Sequence, residues 1–180
     1  MNYVIGTRGS KLALVQAEYV QQKLQERYPE HEFTLKVIKT KGDKIQNKSL
    51  AAIGDKGLFV KEIERELLDG EIQLAVHSMK DMPGEIPDEL CFADAWERED
   101  PRDVLILREA KSMNDLPEGS TIGTGSKRRA FQLLALRADL NIVDIRGNVD
   151  TRLNKMHEQK LDGIVLAAAG LKRLHMESVI

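Results

Sequence analysis

The sequence predicts an α/β fold built on a largely parallel sheet. Short apolar runs alternate with amphipathic stretches along the whole chain, the pattern of βα repetition. The composition agrees: of 180 residues, 42% are apolar and 31% charged, ordinary for a globular protein and too apolar for disorder. Glycine turns carrying Ser, Thr or Arg stand at several junctions from apolar run to amphipathic stretch, where open α/β sheets place their ligands.

In chain order, residues 3–5 read as a strand, and Ala13, Ala17, Val20 and Leu24 then repeat at helical spacing. Residues 33–38 alternate as a strand, and Phe59, Ile63 and Leu67 mark one face of a second helix. The apolar run at residues 74–77 has the character of a strand buried on both faces. Pro83, Gly84 and Pro87 then interrupt the chain. Eight acids against Arg98 and Arg102 give the stretch from Glu85 to Asp103 a local charge of −6. That shift places a domain boundary near residues 98–102, dividing the chain into a domain over 1–98 and a second over 99–180. In the second, residues 104–107, 121–122, 142–145 and 164–167 read as strands, and 130–137 and 149–157 as helices.

Several function classes drop out. The formal charge of −2 is not the basic footprint of a nucleic-acid binder. The longest apolar stretch, residues 163–171, falls short of the roughly 20 residues of a membrane span, and Met1-Asn2-Tyr3-Val4 opens no signal peptide. A soluble, cytoplasmic protein is expected. The lone cysteine, Cys91, excludes an internal disulfide and reads as a packed core thiol in a strand. His31, His77, His157 and His175 lack metal-ligand spacing, so no metal is expected, and Met79 and Met82 read as gap-fillers near a core.

Chemistry concentrates at three junctions: Thr7-Arg8-Gly9-Ser10, the run from Gly123 through Thr124, Ser126 and Lys127 to Arg128-Arg129, and Arg146-Gly147-Asn148 leading to Arg152. Unpaired helix N–H groups favour anions there, and arginine forks match carboxylates and phosphates. Singly, each junction reads equally as a capped turn with a solvated arginine. Together they favour an anion site, and Arg128 and Arg129, opposed to a helix dipole in its first turn, call for a bound anion as counter-charge. No complete phosphate-loop or dinucleotide motif is present. Lys56 sits in the glycine-flanked turn Gly54-Asp55-Lys56-Gly57. Asp81, beside Lys80 after an apolar strand, reads either as a site carboxylate or as the cap of the turn before Pro83.

Six segments resemble the porphobilinogen deaminase (hydroxymethylbilane synthase) family, in family order from Tyr3 nearly to the last residue. They are Gly6-Thr7-Arg8-Gly9-Ser10-Lys11-Leu12-Ala13-Leu14, Lys56-Gly57-Leu58-Phe59-Val60-Lys61-Glu62, Ala75-Val76-His77-Ser78-Met79-Lys80-Asp81, Arg98-Glu99-Asp100-Pro101-Arg102-Asp103, Arg146-Gly147-Asn148 with Thr151-Arg152-Leu153, and Ala167-Ala168-Ala169-Gly170-Leu171-Lys172-Arg173. The resemblance implies two periplasmic-binding-protein-like (type II) domains with mixed, mostly parallel sheets joined by a hinge, plus a small third domain. It implies a transferase of tetrapyrrole (haem) synthesis that condenses four porphobilinogen molecules head to tail into hydroxymethylbilane, on a dipyrromethane cofactor held by a third-domain cysteine. A monomer acting on this small molecule, with no nucleic-acid or membrane partner, is expected.

By the same resemblance, Asp81 is the catalytic carboxylate, stabilising cationic pyrrole nitrogen and assisting ammonia loss. Arg8, Ser10, Lys80, Thr124, Ser126, Arg128, Arg129, Arg146, Arg152 and Arg173 hold carboxylates of cofactor and substrate. Lys56 belongs to a loop like the family's lid, and Ser78 lies beside the cofactor. Departures are Ala52 where the family often has lysine, Asp55 where it often has glycine, and Gly125 for a frequent serine. Cys91 matches the cofactor cysteine in neither neighbours nor position. A chain ending at Ile180 is therefore expected to lack the third domain and, by itself, the attached cofactor and activity. A non-catalytic polycarboxylate-binding module on the same fold is the rival reading.

Overall fold

The computed structural model describes residues 1–44 and 59–180. The chain divides into two compact units, with a division between Glu97 and Arg98. Among the described residues no helix is long and apolar enough to cross a membrane.

The first unit holds a parallel sheet of strand order β2-β1-β3, from β1 (Asn2–Thr7), β2 (Glu32–Val37) and β3 (Leu74–Ala75). Asn2 lies opposite Glu32 and Thr7 opposite Val37, so the strands end together along one edge. Helix α1 (Lys11–Arg27) covers β1 and β2. It starts at Ser10, whose hydroxyl accepts the Ala13 N–H, buries Ala17, and closes with Arg27 where a cation suits the dipole. After the single turn α2 (Lys41–Lys44), α3 (Lys61–Leu68) packs on β3 and drives Ile63 into a core with Ile38 and Ile72.

Three expectations fail in this unit. Strand β3 ends at Ala75, and Leu74 is 36% exposed, not buried on both faces. The reason is position: among the described residues β3 pairs with β1 alone, so it is an edge strand. Cys91 is exposed and lies on no strand, because the apolar stretch around it finds no sheet partner. Met79 is 54% exposed on a 3-10 turn (Met79–Asp81) and fills no core gap.

The second unit has a four-stranded sheet of order β4-β7-β5-β6, from β4 (Asp103–Leu107), β5 (Thr121–Gly123), β6 (Asn141–Val143) and β7 (Gly163–Ala167). Strands β5, β6 and β7 run parallel, and β4 runs antiparallel to β7. Strand β7 separates two cores with period two: Ile164 and Leu166 join Ile106, Ile145, Met156 and Leu171, whereas Val165 joins Leu116, Ile122, Leu133 and Leu140. Gly163 admits the neighbouring strand closely, since a Cβ there would lie 2.7 Å from the Ile106 carbonyl oxygen. Helices α4 (Lys127–Leu136), α5 (Val149–Glu158) and α6 (Ala168–Arg173) follow β5, β6 and β7. The apolar run of residues 163–171 is thus spent on a strand and on the helix entering directly from it.

Candidate functional site

In the first unit, the predicted site residues follow the carboxyl ends of the strands. Arg8 and Ser10 follow β1, while Ser78, Lys80 and Asp81 follow β3. The Val76 N–H still donates to the Gly6 carbonyl at 3.1 Å, which carries the chain to the end of β1 before the turn. Ser78 donates to Gln16 Oε1 on α1 at 3.0 Å. Lys80 and Asp81 are exposed, and neither side chain forms a hydrogen bond or ion pair with the described residues. The Asp81 backbone N–H donates to the Ser78 carbonyl at 2.9 Å, so a backbone bond closes the turn that presents the carboxylate. His77, immediately before this turn, is half-buried. Burial, and then the positive charge of Arg8, lower its pKa against the opposing pull of Asp81, which leaves a neutral imidazole at neutral pH.

Arg8 is already partnered. Its guanidinium forks onto the Asp43 carboxylate and lies 4.1 Å from the centroid of the Phe59 ring. Thr40, buried just beyond β2, donates its hydroxyl to Asp43 Oδ2 at 2.8 Å. Burial raises the pKa of Asp43, but the bonds from Arg8 and Thr40 outweigh it and hold the carboxyl below its usual range. Asp43 escaped the sequence reading, and Phe59 entered it only as part of a helix face although it lies on the turn before α3, because nothing local links Arg8 to positions so far away.

In the second unit, Thr124 and Ser126 follow β5. Thr124 is buried and its hydroxyl accepts the Ser126 N–H at 3.2 Å; Ser126 caps α4 by accepting the Arg129 N–H at 3.4 Å. Arg128 and Arg129 open α4, as expected, but the counter-charge they require comes from the chain itself. Asp103 accepts from Arg128 Nη2 at 2.7 Å and from Arg129 Nε and Nη2 at 3.0 and 2.7 Å. Burial pushes the Asp103 carboxyl up, and the two arginines more than reverse it, so it stays ionised below the ordinary range.

Arg146 and Arg152 flank the turn after β6. Arg152 Nε donates to the Gly147 carbonyl at 2.7 Å, and Lys155 Nζ donates to the Arg146 carbonyl at 3.0 Å. Gly147 holds φ at +125°, a conformation open to glycine, and a Cβ there would collide with Thr151 in the first turn of α5. Arg173 stands at the far end of α6, half-buried, with no hydrogen bond to the described residues; its charge is felt by Glu99. Lys172 beside it reaches Glu99 Oε1 at 3.3 Å and Asp100 Oδ2 at 3.6 Å. Apart from Arg173, the cations and hydroxyls of each unit described above follow the carboxyl ends of its parallel strands or open the helices that leave them, and they are donors of the kind that pair with carboxylate or phosphate groups. Lys56, with Ala52 and Asp55, lies outside the described residues.

Residues 3–180 match the family model described as "Porphobilinogen deaminase, dipyromethane cofactor binding domain". The chain is 61% identical over 181 residues to the porphobilinogen deaminase of Clostridioides difficile, covering 100% of this chain and 60% of that protein. It is 63% identical over 182 residues to that of Lachnospira eligens, covering 100% and 62%. The chain thus spans about 60% of the length of these relatives. Among solved structures, a probable amino-acid ABC transporter extracellular-binding protein from Bacillus subtilis aligns with TM-score 0.50 at 13% identity, over 100% of this chain and 76% of that one. That likeness concerns the fold alone, which is of the type II periplasmic-binding-protein kind.

Proposed function

The chain belongs to the porphobilinogen deaminase family, and on that premise we propose that it supplies the carboxylate-binding and catalytic residues of a transferase that condenses four porphobilinogen molecules, with ammonia release, into hydroxymethylbilane. The observation that carries the reading is Asp81: an exposed carboxylate without a hydrogen-bonding or ion-pair partner among the described residues, presented by a backbone-held turn at the strand end shared with Arg8 and Ser10.

The dipyrromethane of this family bears acetate and propionate groups, and the arginines and hydroxyls at the strand ends are donors of the right chemistry for them. When bound, it supplies the free pyrrole α-carbon on which the product chain grows. In this reading Arg8, Ser10, Lys56 and Lys80 in the first unit, and Thr124, Ser126, Arg128, Arg129, Arg146, Arg152 and Arg173 in the second, hold carboxylates and orient the rings. Ser78 lies beside the cofactor, and its hydroxyl ties the turn that carries Asp81 to α1 through Gln16. Asp81 faces a pyrrole N–H, where an ionised carboxylate stabilises the positive charge that develops as the aminomethyl group loses ammonia. His77, neutral beside it, adds no competing cation. Covalent tethering of the cofactor falls to residues other than Cys91, which is exposed, lies on no strand and matches the family's cofactor cysteine in neither neighbours nor position.

In a protein of the relatives' full length carrying this sequence, Asp81→Asn is expected to lower porphobilinogen turnover by at least about a hundredfold, the scale of a lost charge-stabilising group. Thermal unfolding should be unchanged, because the side chain is exposed and unbonded among the described residues. Near-normal turnover by the variant would refute the role of Asp81. Failure of the unaltered protein to consume porphobilinogen, with retained binding of small polycarboxylates, would instead leave an anion-binding module.

A further inference from the structure

We propose that Asp103 is a positioning residue for the arginine pair of α4; the inference rests on the carboxylate-binding reading above. Because β4 runs antiparallel, its first residue, Asp103, lies opposite Ala167, the last residue of β7. A carboxylate at the start of one strand is thereby delivered to the edge where the parallel strands end.

Its two oxygens divide the work. Oδ2 takes Arg128 Nη2 at 2.7 Å, and Oδ1 takes both Nε and Nη2 of Arg129 at 3.0 and 2.7 Å. Arg129 is pinned on a further side, its Nη1 donating to the Val165 carbonyl at 3.2 Å, and its side chain is only 12% exposed. Arg128 is 59% exposed, with Nη1 on Gln132 at 2.9 Å.

The charge arithmetic explains why such a residue is needed. Two guanidiniums in the first turn of a helix repel each other and the helix dipole. Unopposed, they would swing apart into solvent. One carboxylate holds both in place and still leaves the cluster with net positive charge, so an incoming carboxylate remains attracted. Asp103 thus sets where the cations stand without touching the ligand. A purely structural ion pair tying β4 to α4 would show in stability alone, whereas positioning shows in ligand affinity.

The test uses the full-length protein with Asp103→Asn and Asp103→Glu, read by porphobilinogen kinetics, thermal unfolding and NMR of the arginine Nε–H groups with tricarballylate as a carboxylate probe. Asp103→Asn is expected to raise KM about tenfold with kcat within about threefold, the split of lost binding rather than lost chemistry. Asp103→Glu should restore most of the KM. In the unaltered protein, added tricarballylate should shift the Arg128 Nε–H while the Arg129 Nε–H stays slowly exchanging. An Asp103→Asn protein with unchanged KM, or a Glu variant no better than Asn, overturns the proposal. If Asp103→Asn does not fold, an Arg129 proton exchanging as fast as that of an exposed arginine overturns it just as well. Loss of porphobilinogen turnover in the unaltered protein would defeat the family activity rather than the role of Asp103, which the arginine signals then decide.

Discussion

At Arg8 and again at Arg128 and Arg129, the cations proposed to hold an anionic ligand already hold an aspartate of their own chain. Both aspartates have carboxyls held below their usual range, which fixes the sign of a pH effect. A carboxylate depressed in the folded state stabilises fully above its unfolded pKa, about 3.9, and loses that contribution as the pH falls toward the folded value. Asp43→Asn should therefore lower the melting temperature at neutral pH, and the gap to the unaltered protein should narrow steadily below about pH 4. A gap constant with pH in thermal scans would show that the pair with Arg8 contributes no linkage. These partners were the part of the site least legible in the sequence. Arg8, Arg128 and Arg129 announce themselves by their junctions, but Asp43 sits 35 positions from Arg8, and Asp103 sits 25 and 26 from Arg128 and Arg129, so they meet only through strand order. The one available signal was physical: paired arginines at a helix start demand a counter-charge, and an acidic stretch ended at Asp103.

Ser10 shows how an element and a binding group share one side chain. Its hydroxyl caps α1 by accepting the Ala13 N–H, and in the functional reading it also meets a ligand carboxylate. Ser10→Ala should cost about 1 kcal/mol in thermal or denaturant unfolding. Ser10→Asp should keep the cap, since aspartate serves equally there, while its negative charge repels a carboxylate and weakens binding. If both variants lose stability alike, the cap is not what the hydroxyl provides. At this scale the periodic segments were readable: α1, α4, α5 and β2 announce themselves by spacing. Three features were not. The direction of β4 leaves no trace in an apolar run, because parallel and antiparallel neighbours bury the same side chains. Helix α6 has too little polar face to declare a helical period. The stretch around Cys91 has strand-like residues but no neighbour to pair with, and apolarity alone does not supply one.

The second of the two units carries its own cores. Both cores of the second lie within its own chain segment, on either side of a sheet whose strands all belong to it. Residues 98–180 expressed alone are therefore expected to retain α/β circular dichroism and to unfold in one cooperative transition. A flat, non-cooperative melt would show that the division between Glu97 and Arg98 is not a folding boundary. Strand order also carries a consequence for how this unit comes into being. Strand β4 has only β7 to pair with among the described residues, and β7 alone joins it to the β5–β6 pair. During synthesis the chain must make β4, then β5 and β6, and keep β4 unjoined from the β5–β6 pair until Gly163–Ala167 emerges from the ribosome. Contacts of such long sequence separation form late and fold slowly. The last strand made is thus the one that turns separate pieces into a sheet, and only with its arrival does Asp103 come to rest beside the arginines.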